Sequence, residues 1–154
     1  MLRIRDYQEE DCHELWELFY NTIHFVNIKD YSKSQVEAWA SKEIKRSDWC
    51  SVLTKNNPFL AIVDGKLAGY SDLQSDGLID HFYCHHEYQG KGVGSALMQY
   101  IFDESTSRGL SKLYAHVSMT AKPFFESFGF QIVAEQKVNV RGEKLTNYLM
   151  EKVS

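Results

Sequence analysis

The residues best placed to do chemistry lie in Gln89-Gly90-Lys91-Gly92-Val93-Gly94-Ser95. Three glycines at alternate positions leave a backbone with no Cβ atoms in the way, so its N–H groups can close on an anion. The chain then enters a helical pattern at once, with Val93, Leu97, Tyr100 and Ile101 on one apolar stripe. Strand, glycine loop and helix N-terminus in that order form an anion site, because unpaired N–H groups and the positive end of the helix macrodipole point the same way. The spacing is neither the G-x-x-x-x-G-K-[ST] of a nucleoside-triphosphate loop nor the G-x-G-x-x-G of a dinucleotide fingerprint. It reads Q-x-x-G-x-G.

Ahead of the loop, the apolar run Ile79 to Cys84 contains Asp80. A charged residue inside such a strand is costly unless it is paired or used, so Asp80 is either a proton acceptor in a cleft or the partner of a basic neighbour. By strict alternation Asp80 shares a pleat face with Phe82 and Cys84, while His81 points the other way; a bulge would exchange the two. Cys84, His85, His86 and His81 lack the spacing of a tetrahedral ligand set, and no metal site is expected.

The elements that must position these groups can be read around them. Leu2 to Arg5 alternates as a short strand, and a long amphipathic helix is expected from Glu9 to about Val26. Ser32 and Gln35 have the form of a capping box, so a second helix starts there and runs through Trp39. Phe59–Val63 and Lys66–Tyr70 flank Asp64-Gly65 as a hairpin. A strand over 77–84 leads into the glycine-loop helix, which runs to Arg108 with Gly109 as its cap. A buried strand over 113–117 follows, then a short helix within 121–130, with Pro123 in its first turn and Gly129 past its end. Two last strands, near 131–138 and 144–151, close the chain. The order β-α-α-β-β-β-α-β-α-β-β predicts an α+β fold, a mixed sheet of about six or seven strands with helices on both faces.

The 154 residues suit one domain spanning 1–154, long enough to bury a core without staples. A formal net charge of −4, with no basic run, argues against a nucleic-acid partner. No apolar run is long enough to span a membrane. Cys12, Cys50 and Cys84, odd in number and scattered, suit reduced thiols in a cytoplasmic protein.

With these residues in view, a resemblance stands out. Tyr88 to Gly94 resembles the acetyl-CoA pyrophosphate loop of the GNAT N-acetyltransferases, and Ala121 to Phe130 resembles that family's A-x-x-F-Y-x-x-x-G-F segment. The order of elements is also the family's, so the likeness covers nearly the whole chain. Thr22, His24, Tyr31, Gln35, Ala38-Trp39 and the ending Leu149 to Lys152 resemble one poorly characterised bacterial subgroup.

The resemblance implies an acyltransferase that moves an acetyl group from acetyl-CoA directly to a primary amine of a small molecule or peptide. The pantetheine would lie along Phe82-Tyr83-Cys84 and the pyrophosphate on Gln89, Gly90, Lys91, Gly92, Val93, Gly94 and Ser95. Ser118 stands where the family often has an asparagine that touches the cofactor. Asp80 is the implied base. Thr22, His24, Tyr31 and Gln35 are implied to face the acceptor, and the family leaves room for a homodimer. Phe125 stands where many members carry the tyrosine that protonates the leaving thiolate, and a phenyl ring has no proton to give. Tyr83, His24, Tyr148 or water could take that role, with Tyr83 the preferred candidate. Alternatively, the chain could be a non-catalytic acyl-CoA-binding or interaction module on the same fold.

Overall fold

A computed structural model describes residues 1–154. Eight strands form two four-stranded sheets, in the orders β1-β2-β3-β5 and β4-β6-β8-β7. The first contains β1 (Leu2–Asp6), β2 (Phe59–Val63), β3 (Lys66–Ser71) and β5 (Phe82–Cys84). The second contains β4 (Leu78–Ile79), β6 (Lys112–Ser118), β7 (Gln131–Val140) and β8 (Glu143–Val153). Only the β4–β6 pair is parallel, as expected of a connection that crosses over through a helix.

The strand expected over 77–84 is therefore two strands, and this is the main correction to the sequence reading. Leu78 and Ile79 pair with Tyr114 and Ala115 of β6, whereas Phe82, Tyr83 and Cys84 pair with Ser71, Tyr70 and Gly69 of β3. Asp80 and His81 belong to neither ladder. The sheets part at this point, and the edge of β5 that faces β6 is left without a strand partner. A continuous apolar run hides such a break, because each half is buried in its own sheet.

Five helices cover the sheets: α1 (Cys12–Phe25), α2 (Lys33–Trp39), α3 (Arg46–Asn56), α4 (Val93–Ser107) and α5 (Lys122–Ser127). α1 buries Leu15, Trp16, Leu18, Phe19 and Ile23 in one hydrophobic cluster with Tyr70, Leu60 and Trp49. α4 buries Val93, Leu97, Met98 and Ile101 in a second cluster with Ala61, Ala68 and Ala115. The capping box at α2 forms as expected: Ser32 Oγ accepts from Gln35 N–H at 3.1 Å, and Gln35 Oε1 accepts from Ser32 N–H at 2.8 Å. α3 buries only Trp49 and Leu53, a stripe too short to stand out in the sequence.

The cysteines depart from expectation. Cys12 on α1 and Cys50 on α3 form a disulfide, and only Cys84 is free. Scattered positions in sequence concealed a contact between two helices, which Trp49 reinforces by donating its indole N–H to the Cys12 carbonyl at 2.9 Å. No helix is long and apolar enough to cross a membrane.

Candidate active site

The glycine loop leads into α4 as its sequence required. Gly90 and Gly92 have φ of 72° and 83°, the left-handed region in which a Cβ is strained, and a Cβ on either would point into open space. The first amide to bond within the turn is that of Ala96, to the Gly92 carbonyl at 3.1 Å. None of the amides from Gly90 to Ser95 has a hydrogen-bond partner, so six successive donors are available at a helix N-terminus. Lys91 is exposed with its Nζ 5.6 Å from the Tyr88 ring, and Val93 is buried beneath the loop. Gly94 is close-packed: a Cβ there would lie 3.0 Å from the Phe124 ring and 3.4 Å from Cys84 Sγ. Gln89 turns inward, donating from Nε2 to the Cys84 carbonyl at 2.9 Å. Its side chain thus braces the loop.

A narrow channel of about 150 Å³ runs from this loop along β5, lined by Phe82, Tyr83, Cys84, Gly94, Thr120 and Phe124 among others. The Cys84 carbonyl is already taken by Thr22 Oγ1–H at 2.9 Å as well as by Gln89. Burial pushes the Cys84 thiol up to about 12, which leaves it an unreactive, protonated wall group. Thr22 accordingly belongs to this channel, on the opposite side of the break from where it was expected.

Beyond the break lies a larger cavity of about 800 Å³. Its walls carry Phe19 from α1, Tyr31, Trp39 from α2, Trp49 from α3, Asp80, His81 and Tyr83 from the broken strand, and His116, Ser118, Thr146 and Asn147 from the second sheet. A gap of about 50 Å³ between β5 and β6, bounded by Asp80, Phe82, Phe125 and His116, lies between cavity and channel. Tyr83 and Ser118 line all three spaces. They are walls common to the channel, the gap and the cavity at the parting of the sheets.

Of the four residues expected on the acceptor side, only Tyr31 lines the large cavity. Its hydroxyl donates to the Thr146 carbonyl at 2.5 Å and accepts from Met119 N–H at 2.9 Å, so it ties β8 to the end of β6. His24 stacks on Tyr20 and donates to the Ala40 carbonyl at 3.1 Å, facing a separate surface groove. Gln35 is spent on its capping box and on the Lys144 carbonyl at 2.8 Å. Ser118 Oγ accepts from Ala121 N–H at 3.0 Å and from Asn27 Nδ2 at 3.4 Å, leaving its own proton free. Phe125 is buried against Phe82 and Phe130.

The break also sets what Asp80 meets. Alternation put it with Phe82 and Cys84 and apart from His81; in the structure it lines the gap together with Phe82 and also the large cavity together with His81 and Tyr83. His81, which parity alone made a packing residue, is only 15% exposed at its side chain, and its Nε2 lies 3.8 Å from Asp80 Oδ2. His81 Nδ1 is 2.9 Å from the Tyr70 hydroxyl. Burial holds the His81 pKa below the ordinary histidine value, with the Asp80 carboxylate pulling the other way, so the ring is neutral at neutral pH. Burial raises the Tyr83 phenol well above its ordinary value, a trend partly offset by the Trp39 indole, and Tyr83 stays protonated. The cavity therefore brings a neutral imidazole and a protonated phenol to one junction.

The ligating atoms of His85, His86 and Glu87 come within 4.8 Å of one another, closer than adjacent residues at a strand end were expected to be. His85 Nδ1, however, already accepts from Glu87 N–H at 3.0 Å.

Comparison with known proteins accords with this geometry. Residues 27–152 match the family described as the acetyltransferase (GNAT) domain. The chain belongs to the GNAT acetyltransferase family. It is 34% identical over 149 residues to YafP of Escherichia coli K12, an uncharacterised N-acetyltransferase, covering 97% of this chain and 94% of that protein. A GCN5-related N-acetyltransferase from Rhodopseudomonas palustris has the same fold at a TM-score of 0.94 and 29% identity, over 99% of this chain and 95% of that one. The PaiA N-acetyltransferase from Thermoplasma acidophilum, solved in complex with coenzyme A, shares the fold at a TM-score of 0.77 and 17% identity, over 100% and 99% of the two chains.

Proposed function

We propose that this GNAT domain transfers an acetyl group from acetyl-CoA directly to a primary amine of a small molecule or peptide. The observation that carries the reading is that channel, gap and cavity share Tyr83 and Ser118 as walls. An anion site at the outer end of the channel and a titratable cluster at its inner end are what a long, phosphorylated acyl donor and an amine acceptor require. The chain fits the donor on its own evidence: six unpartnered amides, and open space where side chains at Gly90 and Gly92 would stand.

In this reading acetyl-CoA supplies the acetyl group as a thioester. The amides of Gly90 to Ser95 hold its pyrophosphate, and the unpaired edge of β5 offers backbone groups to its pantetheine arm, as a strand adds to a sheet edge. Cys84 offers no free carbonyl and the Tyr83 backbone is turned toward Tyr70 of β3, so acceptor-type contacts fall on Phe82. His81 Nε2 takes the proton that an arriving ammonium must lose, while Nδ1–H donates to the Tyr70 hydroxyl. The Asp80 carboxylate, 3.8 Å away, favours the imidazolium that forms. The amine lone pair attacks the acyl carbon, the C–S bond breaks, the Tyr83 hydroxyl gives its proton to the thiolate, and the phenolate so formed recovers a proton from the nitrogen as it becomes an amide. Phe125 cannot do so.

Use of acetyl-CoA as the donor supports a cytoplasmic setting for this reading; there the Cys12–Cys50 bond would be exposed to reducing thiols. His81→Gln and Asp80→Asn test the proton transfer. Each is expected to lower amine-dependent thiol release, on the order of 10²-fold for His81→Gln, with acetyl-CoA affinity kept. Wild-type rates in both variants would remove this pair from the mechanism.

A further inference from the structure

β3 ends at Ser71, and the next residue, Asp72, has no solvent exposure. A carboxylate taken out of water is costly unless hydrogen bonds replace the water it loses. Asp72 has three. Oδ1 accepts from Asp80 N–H at 2.8 Å and from Gln74 Nε2 at 3.2 Å, and Oδ2 accepts from His81 N–H at 2.9 Å. Ser71 Oγ donates to the His81 carbonyl at 2.6 Å, and Tyr70 meets the His81 ring. Three consecutive residues, Tyr70 to Asp72, therefore hold one dipeptide by its backbone and by its ring.

That dipeptide is the break between β4 and β5. Asp80 and His81 have left one ladder and not joined the other, so their N–H groups would be orphaned beside a buried core. A straight strand would need no carboxylate here, and by alternation it would send Asp80 and His81 to opposite faces. We propose that Asp72 is a positioning residue for the acetyl transfer: its carboxylate fixes the strand break that lets Asp80 and His81, neighbours in sequence, both line the acceptor cavity. The consequence for turnover rests on the acid–base reading above; the positioning itself does not.

Asp72→Asn preserves the shape but replaces one acceptor oxygen with an NH₂ that faces an N–H. The loss of one charge-assisted hydrogen bond is expected to lower kcat roughly 10- to 100-fold, with little change in acceptor KM or acetyl-CoA affinity. The ¹⁵N shifts of the His81 ring should move, while those of His85 and His116, which Asp72 does not touch, stay in place. If His81→Gln leaves turnover unchanged, the acid–base reading fails, yet the ring shifts still test the positioning. A folded Asp72→Asn protein with a lower Tm but unmoved His81 shifts and unmoved kcat would overturn the proposal, leaving Asp72 a purely structural group. Should that variant not fold, amide hydrogen exchange in the wild-type protein decides. Asp80 and His81 amides protected like those of the β3–β5 ladder are expected; exchange at the rate of an open loop would refute the clamp.

Discussion

Replacing Gly92 by aspartate and by alanine separates the binding role of the loop from its role in folding. Both substitutions meet the same backbone, φ 83°, and both place a Cβ where nothing lies within 4 Å. Both therefore carry the left-handed penalty of about 1–2 kcal/mol and no clash. They differ in charge. A carboxylate at this Cβ would stand about 6 Å from a diphosphate held on the neighbouring amides, and a unit pair at that distance repels by roughly 0.7 kcal/mol at the dielectric of water and 2.8 kcal/mol at an effective value of 20. That corresponds to an affinity loss of roughly 3- to 100-fold for Gly92→Asp relative to Gly92→Ala. Calorimetric titration with acetyl-CoA measures it, and repeating the titration at higher salt should narrow the gap, because the site is open to solvent and screened. If folded Gly92→Asp binds acetyl-CoA as tightly as Gly92→Ala, the pyrophosphate does not lie on this loop.

Three further outcomes are expected. Burial raises the Asp72 pKa to about 6, above the ordinary aspartate value, so its contribution to stability is full at low pH and is lost as pH rises through about 6; relative to Asp72→Asn, denaturant unfolding of the wild type should gain up to roughly 3 kcal/mol as pH falls from 7 to 4. Phe125→Tyr puts a hydroxyl at the gap between β5 and β6 and should raise turnover or leave it alone; a severe loss in a folded protein, read by the thiol assay, would mean the site is built around a dry ring. Cys50→Ser opens a disulfide spanning 38 residues and should cost about 4 kcal/mol by loop entropy, a fall in Tm on the order of 10 °C by scanning calorimetry, matched by adding reductant to the wild type.

The glycine loop was legible because its conformation rests on backbone and its spacing is written in residues that lack a side chain. The capping box at Ser32 was legible for a related reason: both partners lie within one turn. The break at Asp80 and His81 was not, since its cause lies eight and nine residues upstream in Asp72, whose carboxylate looks in sequence like an ordinary polar residue after a strand. That one misplaced element also hid that His81 lines the large cavity beside Asp80. The front of the chain shows the same limit. Tyr31, His24, Thr22 and Gln35 fall close together in sequence, but tertiary packing sends them to the large cavity, a separate groove, the channel and a helix cap respectively. The disulfide joins two helices whose contact depends on α3, the element with the weakest pattern.

Direct acetyl transfer is tested most directly by a single-turnover experiment. Enzyme in excess over acetyl-CoA is mixed with a panel of primary amines, and free thiol and acetylated amine are quantified in the same quenched samples. The account predicts that thiol appears only when a suitable amine is present, in one-to-one yield with the acetylated product, and that the protein itself carries no acetyl group at any time. Tight binding of acetyl-CoA with no thiol released for any amine would show instead a domain that binds the cofactor without turning it over, and thiol release with acetyl retained on Cys84 would contradict direct transfer.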